Sequence, residues 1–535
     1  MKRFLLFLST LAVCVACNPT PPPITLDIQK VRPRFVAPFS EIIITGAGFS
    51  SNSVVKIGSQ TVNIDSFQNT ELKVKAPNVQ AGSYLVTVTN SAQSFATSKD
   101  LNILASPDNY FADQTLVVFK ENPDLNKATQ IAQRGGMTLK DFKPADTTTT
   151  GICSRTLAVL EQQGSTSRAV DTASDLPDVL EANPHGIDTG QAYSDSGPTI
   201  EHKNEFTALE LDRAYAHWKT LLPNMQNRSP RVAVLDTGVS EHYDFRNLFN
   251  LLDTNLLAGR NFTNERVNLA TPIESDTADN AKNASGIRVG HGTAVAAIIA
   301  ARDSESGTNF TQFWQVGVLP ARNNNQSGPN GADGAKILPV KVCNEALQCK
   351  GIEVIKGLCY AISQLPDVIN LSLSTQQPSS IVKQVVKAVT DANIVLVASA
   401  GNRGTVPNYP AAYSLELPII AVGSVRYDPS GKYKASSFSV PGAWVSLVAP
   451  GETQSASFDP SGADGFGYRT FEGTSFAAPW VSGVAAMLKA INPSATPLEI
   501  KNKIIAGASR TNLECIPLEK CGAGLLNAAN AIGAP

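Results

Sequence analysis

The sequence predicts an α/β protein: a parallel β-sheet flanked by helices forms the C-terminal part, and a β-sandwich and a small α+β unit precede it. From about residue 205, near-continuous apolar runs alternate with helical segments, a pattern typical of parallel strands buried on both faces. Residues 24–104 instead hold short runs rich in Val, Ile and Thr, separated by turn residues at intervals typical of a sandwich. Residues 107–190 alternate strand and helix patterns in an order that favours antiparallel pairing.

Length and composition restrict the class of protein further. A chain of 535 residues is too long for a single core and suggests about three domains. Lys and Arg number 44 against 46 Asp and Glu, a net charge of −2, so the composition argues against nucleic acid or an anionic surface as a partner. Aromatic residues make up 7% of the chain, which also argues against a protein that stacks on bases.

The N-terminus, residues 1–17, has the pattern of an export signal. A basic start precedes an apolar stretch, Phe4–Val13, that is too short to span a bilayer. The small residue Ala16 before Cys17 resembles a bacterial lipoprotein signal with Cys17 as the lipidated residue, and a plain secretory signal cut near Ala16 is the alternative. A Pro-rich linker, residues 18–23, follows. We therefore expect an exported protein, extracellular or in the bacterial cell envelope, that touches a membrane only through a lipid anchor.

The sandwich at residues 24–104 carries a motif of its own. Thr45-Gly46-Ala47-Gly48-Phe49, followed by Ala76-Pro77 and Gly82, resembles an IPT/TIG-type immunoglobulin-like module. The resemblance leaves two interpretations open. The module either adheres to a glycan or protein, or it is a spacer that holds the rest of the chain away from a membrane.

Local patterns predict each element of the other two units. The α+β unit is expected to run strand, helix, strand, helix, strand over Thr115–Phe119, Leu125–Arg134, Arg155–Leu160, Ser167–Ser174 and Val179–Ala182. Strands of the α/β unit are expected at Val232–Leu235, Ile337–Val340, Val368–Leu371, Ile394–Val397 and Ile419–Val422, and helices at Gly351–Ser363 and Ile381–Ala392. A last long helix should begin at Thr496, because Pro497 and Glu499 complete a capping box. Asn323–Gly334 is polar and rich in Gly and Asn, so we expect a surface insertion.

One stretch, Gly473–Pro479, predicts a nucleophile. It places Ser475 at a turn that leads into a helix, where the hydroxyl is accessible and free backbone N–H groups stabilise negative charge. The best base among five histidines is His291, because glycines flank it at the start of an apolar helix. Asp236 ends a buried strand and is the candidate that orients the histidine. Asn402 is the candidate donor to an oxyanion.

These four residues, in the order Asp, His, Asn, Ser, resemble the motifs of the subtilisin-like serine proteases (subtilases, the S8 peptidases) over residues 205–535. The matching segments are Val232–Gly238, His291–Thr293, Gly401–Asn402, Ala449–Gly451 and Gly473–Pro479. The resemblance implies a serine endopeptidase in which Ser475 attacks the peptide carbonyl, His291 takes its proton and Asp236 holds the imidazole. It also implies that Asn402 and the Ser475 N–H bind the oxyanion.

The same resemblance implies a substrate cleft. Its substrate-binding residues are Leu371, Ser372 and Leu373 on a strand that pairs with the substrate backbone, Ala398, Ser399 and Ala400 along the pocket for the residue before the cut, and Asn408 near the rim of that pocket. Ser374-Thr375 stands where the family usually has Gly-Gly, so the edge of the cleft is expected to be narrower. The chemistry requires no cofactor. Asp244 aligns loosely with a calcium ligand of the family, so a structural calcium is the one metal to consider.

The unit at residues 107–190 then resembles a subtilase propeptide, which helps the enzyme to fold, fills its cleft and is cut off by it. We expect the cut between Asn183 and Asn204. The expected partners are protein or peptide substrates and this propeptide, with no nucleic acid. Such a cut would separate the protease from Cys17 unless the two parts stay associated, and the sequence leaves that question open.

Export makes disulfides feasible. The cysteines beyond the signal are Cys153, Cys343, Cys349, Cys359, Cys515 and Cys521. Cys343 with Cys349 and Cys515 with Cys521 each bracket a short loop, so these are the favoured pairs, although sequence alone leaves the connectivity open. The sequence has no His and Cys spacing typical of a zinc site.

Two other hypotheses fit parts of the sequence. Asp-Thr-Gly, a motif of aspartic proteases, occurs at 188–190 and at 236–238. A paired-carboxylate site needs both motifs in equivalent buried loops, whereas the first lacks an apolar strand before it and the α/β pattern contradicts an all-β fold. The second hypothesis is an adhesion protein built on an inactive protease scaffold. It is disfavoured because all four catalytic positions are filled.

Overall fold

The computed structural model describes residues 25–79, 82–90, 93–96, 101–104, 110–190, 202–221, 229–247, 250–265, 275–283, 285–302, 317–320, 334–428, 430–458 and 466–535. The signal and linker expected at residues 1–23 lie outside these ranges. So does the expected insertion Asn323–Gly334, apart from Gly334. Of the helices described, none is long and apolar enough to cross a membrane.

The N-terminal sandwich is built from short strands whose side chains alternate between core and solvent. These strands are β1 Asp27–Arg32, β2 Phe35–Val36, β3 Glu41–Ala47, β4 Val54–Ile57, β5 Gln60–Val62, β6 Ile64–Gln68, β7 Glu71–Lys75, β8 Gly82–Tyr84, β9 Val86–Asn90, β10 Gln93–Ala96 and β11 Leu101–Ile103. They form sheets in the orders β1-β3-β7-β6, β10-β9-β4-β5 and β2-β11-β8. Ile42 and Ile44 on β3 are fully buried against Val55 and Val88, as the period of two requires.

The α+β unit has one strand more than the sequence predicts. Its elements are β12 Tyr110–Phe119, α1 Leu125–Arg134, β13 Thr138–Lys143, β14 Leu157–Glu161, α2 Thr166–Ser174 and β15 Val179–Gly190, with a 3-10 turn at Gly151–Ser154. The four strands are antiparallel in the order β13-β14-β12-β15. Side chains of Asp124 and Ser165 cap α1 and α2, which explains why those helices begin where they do.

The α/β unit confirms the predicted fold class. Its helices are α3 His202–Ala208, α4 Leu211–Leu221, α5 His291–Ala300, α6 Gly351–Gln364, α7 Ser380–Asp391, α8 Thr474–Ile491, α9 Pro497–Gly507 and α10 Ala528–Ile532. Its strands are β16 Arg231–Asp236, β17 Arg246–Asn247, β18 Asn250–Thr254, β19 Arg260–Asn261, β20 Lys336–Lys341, β21 Gln348–Lys350, β22 Val368–Leu371, β23 Leu373–Ser374, β24 Val395–Ser399, β25 Ile420–Asp428, β26 Lys432–Ala435, β27 Leu447–Pro450, β28 Glu452–Phe458, β29 Phe466–Glu472 and β30 Leu513–Glu514.

The central sheet is parallel over most of its width. Its order is β19-β20-β16-β22-β24-β25-β26-β30, in which β26 runs antiparallel to β25, and β27 also pairs in parallel with β25. On β16, Val232 and Val234 pack with residues of α5 and α8, whereas Ala233 and Leu235 pack with residues of α6 and α7. Both faces are therefore covered, and the polar residue that follows this buried run, Asp236, comes out at the carboxyl edge of the sheet.

The α+β unit is continuous with the α/β unit. Strand β15 pairs antiparallel with β21 and β23, so the small sheet gains two strands from the larger unit. Leu116, Val118 and Val159 of the small sheet share an apolar cluster with Ile355 and Val385 of α6 and α7. The sandwich docks on the α+β unit in turn, where Phe35 and Leu104 enter its core.

Three disulfides are present among the described residues. Two of them, Cys343–Cys349 and Cys515–Cys521, close short loops and are the pairs that the sequence favours. The third, Cys153–Cys359, joins the α+β unit to helix α6 across a sequence separation of 206. The sequence does not point to this third pair.

Candidate active site

The end of β16 and the start of α5 bring an aspartate and a histidine together. The Nδ1 atom of His291 lies 2.7 Å from Oδ1 of Asp236, and both side chains are only 2% exposed. The same Oδ1 accepts a hydrogen bond from the Thr237 N–H at 2.7 Å, which fixes the carboxylate. A Cβ atom on Gly292 would lie 2.2 Å from the carbonyl oxygen of Gly238, so only glycine lets the helix approach this turn.

The electrostatic surroundings of His291 favour its protonated form. Burial alone lowers the pKa of His291, but the charge of Asp236, the hydrogen bond that the imidazole donates to Asp236 and the charge of Asp279 outweigh burial, so the pKa is raised overall. An imidazole that takes up a proton here is therefore stabilised by two carboxylates.

The second carboxylate, Asp279, is fully buried beneath this pair. Its Oδ1 accepts from the Thr237 hydroxyl at 2.8 Å, and its Oδ2 accepts from the Thr293 N–H at 2.7 Å. Helix α5 begins after Gly290, which has no side chain to cap it, so Asp279 supplies the missing acceptor from another segment. The carboxylate thus ties the turn after Asp236 to the first turn of the histidine helix.

A buried lysine stabilises the same turn from the neighbouring strand. Lys341 ends β20, is fully buried, and donates to the Thr237 carbonyl at 2.5 Å and to Asn280 Oδ1 at 2.6 Å. Burial lowers the pKa of Lys341, and the charges of nearby carboxylates oppose that effect. Because β20 pairs in parallel with β16, the two strand ends lie side by side at the carboxyl edge.

Helix α8 carries Ser475 in its first turn, and a proline explains how that turn is held. Pro479 has no N–H, so the Ser475 carbonyl four residues earlier lacks its helical partner. The Ser372 hydroxyl takes that place and donates to this carbonyl at 2.6 Å. In return, the Ser475 hydroxyl donates to the Ser372 carbonyl at 3.0 Å. The serine is thus bound to the very strand that the sequence predicts as the substrate edge.

The histidine lies beside the start of α8. Its ring centroid is 5.0 Å from that of Phe476, the residue after Ser475. The buried Nε2 atom of His291 has no hydrogen-bond partner in the part of the chain that the structure describes. Because Nδ1 is engaged by Asp236, Nε2 is the atom left to exchange a proton with a reacting group.

Thr474 orients the amide of Asn402. The Asn402 Oδ1 accepts from the Thr474 N–H at 2.8 Å and from its hydroxyl at 2.6 Å. The Nδ2 donor then points the other way, and a Cβ atom on Gly473 would lie 2.8 Å from it. The Gly-Thr-Ser sequence therefore leaves room for an amide donor beside the serine and also sets which end of that amide faces the site.

Strand β15 occupies the edge on which a substrate is expected. Thr189 pairs with Ser374 and Gly190 with Leu373, while Asp188 pairs with Cys349 on the other side. The end of the α+β unit thus runs as an extended strand between two edges of the α/β unit. This is the strand-addition geometry by which an extended peptide binds a sheet edge.

The structure places the remaining predicted substrate residues close to this edge. Leu371 ends β22 and lines an apolar pocket with Leu373 and Tyr409, beside Asp188 of β15. Ala398 and Ser399 end β24, Ala400 follows, and all three are buried. The Ser399 hydroxyl donates to the Leu373 carbonyl at 3.5 Å, and Asn408 Oδ1 accepts from the Ser374 hydroxyl at 3.4 Å.

Both oxygen atoms of the Asp244 carboxylate lie close to other side chains. Its Oδ1 accepts from the Tyr468 hydroxyl at 2.7 Å, and its Oδ2 lies 3.4 Å from Nδ1 of the buried His242. A calcium ion binds about six to eight oxygen ligands, several of which are carboxylates or carbonyls. Within the described ranges, no three His, Cys, Asp or Glu side chains are grouped to hold a metal. Calcium stays a prediction here, and no chemical step depends on it.

Asp188 is not part of a paired-carboxylate site. It lies within β15, whereas Asp236 lies at the end of β16 against His291. Burial raises the pKa of Asp188 to about 7, and no neighbouring carboxylate contributes to that shift. The aspartic-protease hypothesis requires two facing carboxylates that share a proton, and this arrangement lacks them.

Sequence reasoning missed four features of the site: Asp279, Lys341, the orienting role of Thr474, and the Cys153–Cys359 disulfide. Two of them, Asp279 and Lys341, could have been predicted from a pattern in the sequence. A helix that starts after glycine needs an acceptor from elsewhere, which points to a carboxylate such as Asp279. A lysine at the end of an otherwise apolar strand, Lys341, needs acceptors at the same sheet edge.

Comparisons with known proteins identify the families that this chain resembles. The model of the subtilase family matches residues 227–524, more than half of the chain, and the model of the IPT/TIG domain matches residues 28–102. The M-protease of Shouchella clausii is 30% identical over 364 residues, which covers 66% of this chain and 78% of that protein. Subtilisin Savinase of Lederbergia lenta is 31% identical over 305 residues, which covers 56% of this chain and 90% of that protein.

A solved structure is similar over a larger share of the chain. Fervidolysin from Fervidobacterium pennivorans, described as a keratinolytic enzyme related to subtilisin, matches 81% of this chain with a TM-score of 0.57 and 20% sequence identity. This chain spans 62% of the length of that protein. At this identity the likeness concerns the fold alone.

Proposed function

Because this chain belongs to the subtilase family of serine-type endopeptidases, we propose that it hydrolyses protein substrates through Ser475, His291 and Asp236, and that it is made as a self-processing, exported precursor. The observation that carries the proposal is the 2.7 Å contact between His291 and Asp236 at the carboxyl edge of the sheet, beside the helix that carries Ser475 in its first turn.

The chemistry follows from the roles of these atoms. The Ser475 hydroxyl oxygen attacks the peptide carbonyl carbon while Nε2 of His291 takes the hydroxyl proton. That proton then passes to the leaving amine, the C–N bond breaks, and an acyl-enzyme remains. Water, deprotonated by His291, hydrolyses the ester and restores the serine. Asp236 keeps Nδ1–H of the imidazole directed toward itself and stabilises the imidazolium.

The oxyanion is proposed to bind Nδ2 of Asn402 and the Ser475 N–H. The contacts of Thr474 with Asn402 Oδ1 support this role, because they leave the amide nitrogen free to donate. The Ser475 hydroxyl must exchange its bond to the Ser372 carbonyl for one to His291.

The α+β unit is proposed to act as the propeptide. Its last strand lies in the substrate edge, and it also caps two helices of the α/β unit. The His185 Nε2 atom accepts from the N–H of Ile352 at 3.4 Å, at the start of α6. Asn183 Oδ1 accepts from the Ser380 N–H at 3.2 Å, at the start of α7. A unit that satisfies helix ends and covers apolar surface of its partner is suited to assist its folding.

The position of the cut and the location of the protein are also part of what we propose. Strand β15 is paired up to Gly190, and helix α3 begins at His202, so we propose that the cut lies within residues 191–201. Export rests on the signal pattern of residues 1–17 and on disulfides, which persist in oxidising compartments. Lipidation of Cys17 would place the enzyme on the cell envelope.

The experiment that tests the function is Ser475→Ala in the full precursor. We expect loss of casein hydrolysis and a precursor that stays uncut, because the nucleophile is gone. N-terminal sequencing of the parent and of the variant, side by side, reports the cut within residues 191–201 and the fate of the signal. Casein hydrolysis equal to that of the parent would contradict the assignment. Activity that disappears only with Asp188→Ala and Asp236→Ala would support an aspartic mechanism instead.

A further inference from the structure

A covalent bond spans the segment in which the proposed cut lies. Cys153, in the α+β unit, is bonded to Cys359, on helix α6 of the α/β unit. The two cysteines lie on opposite sides of residues 191–201 in sequence. Hydrolysis of any peptide bond in that segment therefore leaves the two units joined through sulfur.

We propose that self-cutting does not release the α+β unit, and that the mature protein is a two-chain molecule held together by Cys153–Cys359. The proposal rests on the self-processing proposed above. Without such a bond, non-covalent contacts alone would hold the cut unit in place. In this chain the bond makes departure depend on a second event.

The surroundings of the bond suit a permanent tether more than a redox switch. Cys153 is 0% and Cys359 3% exposed. Both lie in the apolar cluster shared by the two units, with Ile152, Leu157 and Ile355. A thiolate must reach a sulfur atom to break a disulfide, so the folded interface shields this bond from a soluble reductant.

The sandwich stays attached by the same bond. It contacts the α+β unit, where Arg32 lies 3.1 Å from Asp171 and 2.8 Å from Asp175. It is also continuous with that unit in the chain. After the cut, the enzyme therefore remains linked to the module and to any anchor that precedes it.

The tether also changes how the cleft becomes free. A strand that leaves the edge of Leu373 and Ser374 stays close by, so its rebinding is intramolecular and does not weaken on dilution. Release of inhibition then requires a further cut within the α+β unit or displacement of β15 by substrate. A propeptide without the bond would dissociate on dilution.

The first experiment uses the parent protein, secreted from an oxidising compartment and allowed to cut itself. On a denaturing gel we expect one band near the mass of the precursor without reductant, and two fragments with dithiothreitol. Two fragments in the absence of reductant would overturn the tether.

A second arm separates the tether from the proposed self-processing. In this arm, a Ser475→Ala precursor carries the recognition sequence of an unrelated protease, inserted within residues 191–201. The added protease then makes the cut. We expect the fragments to remain joined without reductant and to part with it. If the parent stays uncut while this arm shows joined fragments, self-processing fails and the tether stands. If the fragments part without reductant, the tether fails whatever the parent does.

The third arm tests the consequence for activity with Cys153→Ser/Cys359→Ser. On dilution of the cut protein we expect the double variant to gain activity with time as its α+β unit dissociates, and the parent to show no such gain. The matched control is Cys515→Ser/Cys521→Ser, which removes a disulfide that lies wholly within the α/β unit. An equal gain in the parent would contradict retention of the cleft-filling strand.

Discussion

The α/β side of the cleft and the α+β side that faces it are stabilised by different kinds of contact. On the α/β side, a few buried polar atoms hold the arrangement: the 2.7 Å contact of His291 with Asp236, and Asp279 beneath it. On the α+β side the contacts are numerous and separate, with backbone pairing by β15, two helix caps, an apolar cluster and one disulfide.

The difference predicts how each side responds to a single substitution. A polar atom that faces developing charge has no substitute, so its loss changes the barrier of the reaction directly. When one of many contacts on an interface is lost, the other contacts remain, so the affinity changes by a small factor. The following substitutions test this contrast, beginning with the largest expected effect.

The largest effect is expected for Asn402→Ala. Loss of the amide removes a donor to the oxyanion, and such a donor is worth ~10²–10³ in rate. The measurement is the rate of self-cutting of the refolded precursor, a single turnover that needs no added substrate. We expect that rate to fall by this factor, with only a small drop in the thermal unfolding midpoint from the loss of the acceptor for Thr474. A rate within a few-fold of the parent would mean that Asn402 does not face the oxyanion.

An intermediate effect, on pH dependence, is expected for Asp279→Asn. His291 must be neutral to accept a proton, so the rate of self-cutting falls as pH drops through its raised pKa. Asp279 contributes to that raised pKa through its charge, so the variant should have a lower pKa at His291. The acid limb of the rate profile should therefore move to lower pH. The plateau should also fall, because the start of α5 loses an acceptor.

Asp276→Asn is the matched control for this shift. It removes the same charge three positions away, and Asp276 is not among the groups that raise the pKa of His291. We expect its acid limb to coincide with that of the parent. If the acid limb of Asp279→Asn also coincides with that of the parent, Asp279 acts only as a helix cap and not through its charge.

The two sides of the cleft also differ in how far the sequence could predict them. Asp236, His291 and Ser475 each belong to a short motif whose turn and helix are local, so their neighbours in sequence are also their neighbours in space. The subtilase and IPT/TIG resemblances are confirmed for the same reason. Helix α1 lies at its predicted residues, Leu125–Arg134, because a capping aspartate precedes it.

The features that escaped prediction depend on partners distant in sequence. Strand β13 is too polar to predict, and it exists because β14 pairs with it. Strand β15 extends from Ala182 to Gly190 because β21 and β23 supply its second edge. The Cys153–Cys359 bond depends on the docking of two units, which no spacing in the sequence reveals.

The smallest effect is expected for Asn183→Ala, on the α+β side. Its amide oxygen caps α7 by accepting from the Ser380 N–H, and loss of such a cap costs about 1 kcal/mol. In the Cys153→Ser/Cys359→Ser background, the cut units can separate. There we expect the dissociation constant of the α+β unit from the α/β unit to rise by roughly five-fold. Size-exclusion chromatography over a dilution series measures it.

Gln384→Ala is the matched control, because Gln384 is exposed and donates to Glu181 of the same strand β15 at 2.7 Å, which leaves the contact of Asn183 with Ser380 intact. We expect a smaller change, since exposed polar pairs contribute about 0–1 kcal/mol. Neither variant should alter the rate of self-cutting beyond a few-fold, because β15 remains paired along both of its edges. If Asn183→Ala slowed self-cutting as much as Asn402→Ala, the α+β side would also depend on single atoms, and the contrast between the two sides would be wrong.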